Sequence, residues 1–429
     1  MEGLGFRPYD TYKDSRVDWI GSIPSTWDVQ RAKWLFKRMD RPVRPEDDIV
    51  TCFRDGEVTL RNNRRTDGFT TALKEIGYQG IRKGDLVIHA MDAFAGAIGV
   101  SDSDGKSTPV YSACVPRQPN TVDPTFYAYY MRHLALSGFL VSLAKGIRER
   151  STDFRFNDFA ELEFPFPSLP EQCAIVAFLD EKCAKADGAV KIKEDQIALL
   201  RERRQIIIQY AVTRGLNPAA PMKDSGIDWI GQIPAHWEVR RGKHIFREVN
   251  ERSEEGTEEL LSVSHTTGVT ARSEKNVNMF LAEDYTGSKL CQPGDIVINT
   301  MWAWMGALGV SDLTGIVSPA YGVYRPMQND DFNPHFLEWL LRTPPCIEQY
   351  NKISTGLHSS RLRLYPHMFL GMYMAHPTRD EQNAIVGHIK KEAGKIDAAI
   401  TIKQDQIAAL KEYKTSLINA AVTGKIKVV

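Results

Sequence analysis

A run of five consecutive residues has side chains of the kind that bind nucleic acids. The run consists of Arg61, Asn62, Asn63, Arg64 and Arg65. Arginine binds phosphate oxygens, and both Arg and Asn can hydrogen-bond to base edges in the major groove. The same run could instead be a solvated loop, and the sequence leaves both interpretations open.

Three further segments carry side chains with the same binding chemistry. Two of them follow Gly146 and Gly356 and precede segments with helical spacing, and the third begins near Ser264. We expect these side chains to face phosphates or bases, with exposure to water as the alternative. The candidates are Arg148, Arg150, Arg155, Thr266, Thr267, Arg272, Lys275, Ser359, Ser360, Arg361 and Arg363.

Common catalytic motifs are absent from the sequence. It contains no GxxxxGK[ST] phosphate loop, no GxGxxG that opens a helix and no HxxxH pair, and its six cysteines form no CxxC motif. Asn333-Pro-His-Phe336 is similar to the Asn-Pro-Pro-Phe loop of adenine methyltransferases. Its counterpart Asp123-Pro-Thr-Phe126 favours a helix N-cap followed by proline. We therefore expect no catalytic residue and no metal site.

The chain contains an internal repeat whose matching residues are 210 positions apart. Asp14-Ser-Arg-Val-Asp-Trp-Ile-Gly returns as Asp224-Ser-Gly-Ile-Asp-Trp-Ile-Gly. The copies diverge between about residues 37 and 83, and the register resumes where Gly84-Asp85 matches Gly294-Asp295. A surface that reads different bases should differ between the copies, so the divergent stretch is where we expect reading residues.

Each copy ends in a segment with the apolar spacing of a coiled-coil helix. Steps of four and three run from Ser168 to Gly215 and from Thr378 to Gly424, and Glu171 and Glu381 complete capping boxes at their starts. Lone helices would expose these seams, so we expect the two to pair; packing of each on its own domain is the alternative. The seam residues are Leu179, Val190, Ile197, Leu200, Ile207, Ile389, Ile396, Ile400, Ile407, Leu410 and Leu417. Charged residues interrupt the seams at Lys193, Arg204, Lys403 and Lys414.

The tryptophans fall into two groups, those repeated in both copies and those found in the second copy only. Trp19, Trp27 and their counterparts are identical in both copies, which indicates packing. Trp302 and Trp304 occur only in the second copy, opposite Asp92 and Phe94. We expect the pair to be buried, with stacking on a displaced base as the alternative.

Short β-branched runs and capped helices predict an α+β fold. Two mixed α/β domains are joined by two long helices that form an intramolecular pair, and the duplication gives a pseudo-twofold repeat. The predicted segments are 1–167 (first domain), 168–215 (central helix), 216–377 (second domain) and 378–425 (C-terminal helix).

Composition adds weaker limits. Lys plus Arg and Asp plus Glu each number 54, so the formal net charge is zero and any nucleic-acid surface must be a local patch. The scattered cysteines indicate a reducing compartment, and we expect a cytoplasmic protein without a signal peptide or membrane span.

The ordered set of repeated motifs resembles the specificity subunits of type I restriction–modification systems. The motifs are the DSxxDWIGxIPxxWxV openings at Asp14 and Asp224, and the Gly-Asp-(Leu/Ile)-Val-Ile strands at Gly84 and Gly294. Glu-Gln-x-Ala-Ile-Val at Glu171 and Glu381 and Ala-Val-Thr at Ala211 and Ala421 complete the set. Together they cover nearly the whole chain in both copies.

The resemblance implies a function in DNA recognition without catalysis. Each globular domain would be a target recognition domain for one half of a split, asymmetric site in double-stranded DNA. The two long helices would form an antiparallel intramolecular coiled coil that sets the spacing between the halves. It also implies two modification subunits, which use S-adenosylmethionine to methylate adenine, and two restriction subunits, which use ATP and Mg. A fused nuclease or methyltransferase and a scaffold that binds no DNA are the alternatives.

Overall fold

A computed structural model describes residues 6–64, 75–143, 153–274, 284–328, 331–356 and 362–428. It confirms the predicted mixture of helix and strand and both long helices. The helices are α1 (Ala32–Leu35), α2 (Pro124–Leu136), α3 (Phe139–Leu143), α4 (Phe156–Glu161), α5 (Leu169–Arg214), α6 (Pro334–Leu341), α7 (Pro344–Ile353), α8 (Pro366–Gly371) and α9 (Arg379–Val422).

The first copy is built on a four-stranded antiparallel sheet. Its order is β4-β11-β8-β9, and two-stranded pairs β1-β2, β3-β12, β5-β6 and β7-β10 surround it. The strands are β1 (Tyr12–Asp14), β2 (Ser22–Pro24), β3 (Asp28–Arg31), β4 (Phe36–Met39), β5 (Val50–Cys52), β6 (Val58–Leu60), β7 (Gln79–Ile81), β8 (Leu86–His89), β9 (Ile98–Val100), β10 (Gly105–Ser107), β11 (Tyr111–Pro116) and β12 (Glu163–Phe166).

The second copy repeats this topology. Its four-stranded sheet has the order β16-β23-β20-β21, and the pairs are β13-β14, β15-β24, β17-β18 and β19-β22. The strands are β13 (Met222–Asp224), β14 (Gln232–Pro234), β15 (Glu238–Arg241), β16 (Phe246–Glu248), β17 (Leu261–Ser264), β18 (Gly268–Ala271), β19 (Lys289–Cys291), β20 (Ile296–Ile298), β21 (Leu308–Val310), β22 (Gly315–Val317), β23 (Gly322–Pro326) and β24 (Tyr373–His376).

The central sheet of the first copy is covered on both faces. Leu86 and Ile88 of β8 join one core with helix α2, whereas Val87 between them joins a second core with the β5–β6 hairpin. Successive strand residues point to opposite faces, so this alternation follows from the backbone. The hairpin is thereby packed onto the face of the sheet opposite to α2.

Residue contacts divide the chain into two compact units that each contain part of both long helices. Unit 1 is Met1–Glu194 with Gln404–Val429, and unit 2 is Asp195–Lys403. The division therefore cuts through α5 and α9, and the four-segment division made from the sequence stays a prediction.

Within each unit the two helix segments lie antiparallel. In unit 1 the Lys414 ammonium is 2.7 Å from a carboxylate oxygen of Asp187, and Leu179 shares a core with Leu417 and Ala421. In unit 2 Arg204 is 3.5 Å from Asp397. This ion pair is the counterpart of the first, because Arg204 matches Lys414 and Asp397 matches Asp187 in the repeat. Two of the charged residues that interrupt the predicted seams therefore form matching ion pairs between α5 and α9.

A buried glutamine fixes the start of each long helix. Gln172 accepts a hydrogen bond from the Asp123 amide (2.8 Å) and donates to the Pro167 carbonyl (2.8 Å). Gln382 does the same with Asn333 (2.7 Å) and Pro377 (3.0 Å), and both glutamines are fully buried. These bonds attach each long helix to the N-cap of α2 or α6.

The predicted capping boxes are present only in part. The Glu381 amide donates to the Thr378 hydroxyl at 3.4 Å. The two glutamate carboxylates have another use, because Glu171 accepts from the Tyr9 hydroxyl (2.6 Å) and Glu381 from the Trp237 indole (2.9 Å). Glu381 therefore connects α9 to the opening motif of the second copy, whereas Glu171 connects α5 to Tyr9, which precedes the opening motif of the first copy.

Each Gly-Asp turn holds a buried aspartate that is paired with arginine. Asp85 is paired with Arg41 (Nη2 to Oδ1, 3.0 Å), whereas Asp295 is paired with Arg325 (Nε to Oδ1, 2.7 Å). Arg41 precedes β5 and corresponds to Glu251, whereas Arg325 lies in β23 and corresponds to Val115. Each copy therefore has its own buried aspartate at this position, but the arginine that pairs with it comes from a different element in each copy.

Candidate nucleic-acid interface

In unit 1 the first candidate run begins with a short 3-10 helix, Arg61–Asn63, directly after β6. The Arg61 amide donates to the Ile49 carbonyl at 2.8 Å. Its guanidinium lies 3.4 Å from the Thr51 hydroxyl, and its positive charge influences the pKa of the nearby Tyr111. Burial raises the pKa of Tyr111 to about 12, and the positive charge of Arg61 opposes that shift. Arg61 is thus held beside the end of the central sheet.

Arg64 and Asn63 mainly support the hairpin that precedes them. Arg64 is 2.7 Å from Asp55 and 2.8 Å from Glu57, and its guanidinium lies 4.2 Å from the Phe53 ring centre. The Asn63 amide donates to the Thr59 hydroxyl at 2.7 Å. Asn62 is exposed. Within this run, Arg61 and Asn62 are therefore better placed than Arg64 to meet a ligand.

In unit 2 the corresponding 3-10 helix is Arg272–Glu274. The Arg272 amide donates to the Leu260 carbonyl at 2.8 Å. Burial raises the pKa of Tyr321, and the positive charge of Arg272 opposes that shift, as Arg61 does for Tyr111. Arg61 and Arg272 are therefore structural counterparts, although they are 211 positions apart. The β5–β6 and β17–β18 hairpins have the same length, so the change of register comes from one extra residue between β16 and β17.

The remaining candidates have mixed surroundings. The hydroxyls of Thr266 and Thr267 lie 3.1 and 2.9 Å from that of Ser264, at the tip of the β17–β18 hairpin. Arg155 is exposed, pairs with Asp153 and precedes α4, and Arg363 forms a β-bridge with Thr355. The predicted residues Arg65, Arg148, Arg150, Lys275, Ser359, Ser360 and Arg361 lie outside the described residues.

Both candidate stretches of each copy lead to one turn at the end of the sheet. In unit 1 Tyr111, beside Arg61, packs edge-on against His89 with ring centres 4.5 Å apart. Phe154, close to Arg155, donates its amide to the Ala90 carbonyl at 3.0 Å. In unit 2 the Leu364 amide donates to the Thr300 carbonyl at 2.9 Å. The structure thus brings the two stretches together around residues 89–94 in unit 1 and 299–304 in unit 2, which we call the sheet-end turns.

The sheet-end turns differ in side chains. In unit 1 Asp92 is paired with Arg54 at 2.8 Å. In unit 2 the counterpart of Asp92 is Trp302, which is 49% exposed and stacks on Trp304 with ring centres 6.1 Å apart. The expectation that Trp302 is buried was wrong, because the turn ends at the surface and the indole packs on its neighbour. The four repeated tryptophans do pack inside, with Trp27 and Trp237 fully buried.

His89 is held as a neutral acceptor in the sheet-end turn of unit 1. Its Nδ1 accepts from the Asp92 amide at 3.0 Å, so the proton of the neutral ring lies on Nε2. Burial lowers the pKa of His89, and the Asp92 carboxylate only partly opposes this effect. Its counterpart Asn299 donates to the Tyr321 hydroxyl at 3.0 Å. The two turns therefore present different hydrogen-bonding groups.

The predicted seam positions lie on the inward side of both long helices. Among them, the buried residues are Leu179, Ile197, Ile389, Ile396 and Leu417. The partly buried ones are Val190, Leu200, Ile207, Ile400, Ile407 and Leu410. Near the end of α5 the buried residue is Ile208 instead of Ile207, where the helix packs on the core of unit 2.

Sequence reasoning missed Arg54, Arg132 and Arg342 as residues near these turns. Arg132 and Arg342 are identical residues 210 positions apart, so the repeat contained a signal for them. Arg54 lies in the divergent stretch, where such a signal is absent.

Neither a metal-binding cluster nor a membrane-spanning helix occurs in the described ranges. In those ranges no three His, Cys, Asp or Glu side chains are grouped as a metal would require. No described helix has both the length and the apolar character needed to cross a membrane.

Comparisons with known proteins agree with the repeated architecture. No protein-family model matches the chain. It is 25% identical over 328 residues to the specificity subunit of the type I restriction enzyme MjaVIII of Methanocaldococcus jannaschii, covering 72% of each chain. It is 21% identical to the putative MjaX specificity subunit of the same organism, covering 95% of this chain and 96% of that one.

Solved structures show the same fold. A chain from a structure of type I restriction–modification complex assembly and conformational transition aligns with a TM-score of 0.66 and 15% identity, covering 94% of this chain and 99% of that one. The HsdS subunit of Thermoanaerobacter tengcongensis aligns with a TM-score of 0.51 and 16% identity, covering 94% and 98%.

The fold is therefore that of a duplicated α+β protein with two long helices, as in these HsdS-type structures. In both sequence and fold the chain is similar to specificity subunits of type I restriction–modification systems, which confirms the resemblance stated from its motifs.

Proposed function

We propose that the chain is the DNA-specificity subunit of a type I restriction–modification complex and reads a bipartite, asymmetric site. Each copy supplies a target recognition domain for one half of that site, and the paired helices set the distance between the halves. The chain itself performs no catalysis.

One observation carries this proposal: the copies share a framework but differ at an exposed turn. The buried glutamines and the strand order are repeated, whereas His89 and Asp92 in one sheet-end turn are replaced by Asn299 and Trp302 in the other. A repeat that served only as a scaffold would have no reason to vary at the sheet-end turns, which lie near Arg61 in unit 1 and near Arg272 in unit 2. Two half-sites of different base sequence would require that difference.

The candidate contacts divide into two kinds. Arg61, Arg155, Arg272 and Arg363 would bind phosphates or guanine edges, because guanidinium groups suit both. The sheet-end turns and the hairpin tips would contact bases. Because the net charge of the chain is zero, the affinity of the chain alone would be modest, and partner subunits would supply additional phosphate contacts.

The chemistry would come from two modification subunits and two restriction subunits. The former would bring S-adenosylmethionine for adenine methylation, and the latter ATP and Mg for translocation and cleavage. The six cysteines, all free thiols, are consistent with the cytoplasm, where such a complex would meet DNA.

Methylome sequencing of cells with and without this gene tests the proposal. We expect a split motif with one methylated adenine in each half, present only when the gene is present. Loss of the gene without any change in adenine methylation, while the modification subunit is still expressed, would contradict it.

Salt dependence separates this function from that of a protein scaffold. Specific binding of the assembled complex to the mapped DNA site should weaken steeply as salt rises, because phosphate contacts release counterions. A complex that assembles normally but binds the site no better than a scrambled duplex would favour the scaffold.

A further inference from the structure

One arginine in unit 1 bridges the two turns at the candidate interface. Arg132, in the third turn of α2, donates through Nη1 to the carbonyl of Gly96 at 2.7 Å and to that of Arg54 at 3.2 Å. Arg54 lies in the turn of the β5–β6 hairpin, and Gly96 ends the short 3-10 helix that closes the sheet-end turn. A single guanidinium therefore holds both turns on the helix.

Unit 2 has an arginine at the same position. Arg342, 210 residues after Arg132, caps the C-terminus of α6 and donates to the carbonyls of His265 (2.7 Å) and Thr266 (2.9 Å) in the β17–β18 hairpin. Glu338, one helical turn earlier, pairs with Arg342 at 2.8 Å and accepts from the Val310 amide of the central sheet. The hairpin is thus tied to both α6 and the sheet.

Glycine leaves room for both arginines. A Cβ atom on Gly56 would lie 2.1 Å from Nη1 of Arg132, and one on Gly268 would lie 2.7 Å from Glu338 and 3.1 Å from Arg342. Both glycines also have positive φ, 92° and 68°. The close approach of the hairpin to the arginine therefore requires glycine in each copy.

The contacts fix the main chain and leave the side chains free to vary. In both units the arginine binds carbonyl oxygens, which every residue has. Arg54 and His265 can consequently differ without loss of the support. This is the arrangement needed where the presented side chains diverge and their position must be kept. A planar guanidinium reaches two carbonyls at once, which a lysine ammonium on a flexible stem does less well.

We infer that Arg132 and Arg342 are positioning residues for base recognition, each acting on the half-site read by its own unit. They do not themselves contact bases. This inference rests on the proposed function, because it assigns a role in placing the hairpin and the sheet-end turn on DNA.

The test uses Arg132→Lys and Arg342→Lys in the full chain, assembled with its partner subunits. Binding is measured on duplexes that carry the motif mapped by methylome sequencing, with single-base changes in one half or the other. We expect Arg132→Lys to reduce discrimination roughly tenfold in the half read by unit 1 and to leave the other half within about twofold. Arg342→Lys should show the reverse. The matched controls are Arg31→Lys, at an exposed arginine paired with Glu161, and Arg240→Lys, at a partly buried arginine paired with Glu238; they should affect neither half.

Every outcome decides the inference. Unchanged discrimination, or equal loss in both halves, would overturn it. So would a variant that unfolds, detected by circular dichroism, because the arginine would then serve the fold as a whole. If the wild-type complex itself shows no sequence preference, the proposed function fails. If the wild-type complex discriminates between sequences and the lysine variant discriminates equally well, only the present inference fails.

Discussion

At the end of the central sheet, unit 1 presents His89 and an Arg54–Asp92 ion pair, whereas unit 2 presents Asn299 and a stacked pair of tryptophans. Behind these turns the supporting bonds are nearly the same, from the buried glutamines to the two hairpin-binding arginines. The difference teaches that the repeat preserves contacts to main-chain atoms and varies the side chains of this turn, both the buried Asn299 and the exposed Trp302.

The largest effect should come from the buried aspartates, where the framework itself differs. Arg325→Val removes the partner of Asp295, a residue that is 1% exposed, and we expect unit 2 to lose about 3–5 kcal/mol of unfolding free energy. Adding Glu251→Arg, the counterpart of Arg41, should restore a large part of it. Urea denaturation of the two variants measures both effects. If the double variant is no more stable than the single one, the two arginines are not interchangeable.

The shared framework makes a second prediction. Gln172→Ala and Gln382→Ala each leave a buried amide and carbonyl without their partner, and each should cost about 2–3 kcal/mol of unfolding free energy. The two losses should agree within about 1 kcal/mol, since the hydrogen bonds match. Thermal or urea unfolding of each variant is the measurement. A large loss in one copy only would show that the frameworks are not equivalent.

The sheet-end turns should differ in binding. Trp302→Ala removes an exposed aromatic face, and if that face packs on a base the complex should bind its DNA site about tenfold more weakly, within the 1–3 kcal/mol of one base–aromatic contact. The loss should depend on the sequence of the half read by unit 2. Trp34→Ala, at another exposed tryptophan, is the control and should leave binding unchanged. Equal weakening of DNA binding by both substitutions would contradict a contact between Trp302 and DNA.

The smallest effect should be the contribution of His89, in unit 1, to the pH dependence of stability. Burial lowers the pKa of His89 in the folded state, so below about pH 6.5 the unfolded chain binds more protons than the folded one. Stability therefore falls as the pH falls through this range. His89→Asn, which copies Asn299, should reduce the shift in urea midpoint between pH 7.5 and pH 5.5. His133 and His376 also have pKa values lowered by burial, so part of the shift should remain.

The repeat made the architecture predictable, whereas the individual contacts were not. The helix bounds follow from the apolar spacing and the glycine stops, and Gly215 indeed takes a positive φ of 73° directly after α5. Arg204 and Lys414 were predicted only as interruptions. Their pairing with Asp397 and Asp187 depends on which residues face each other when the helices run antiparallel.

The sequence could indicate a region for the candidate interface, which stays a prediction, but it could not indicate the contacts of the individual residues. Divergence between the copies pointed to Arg61–Asn63, and the structure holds that stretch beside the sheet-end turn. It could not show that Arg64 is engaged by Asp55 and Glu57, because those carboxylates come close only through the hairpin. It also hid the equivalence of Arg61 and Arg272, because one added residue shifts the register from 210 to 211.

The most direct test of the central claim is to make the two recognition domains identical. Residues 216–377 are replaced by residues 6–167, which occupy the same place in the repeat, and the methylome of cells carrying this chain is sequenced. If each domain reads its own half, the split motif should become symmetric, with the half read by unit 1 repeated in inverted orientation and the other half lost. An assembled complex that still methylates the original asymmetric motif would contradict the account.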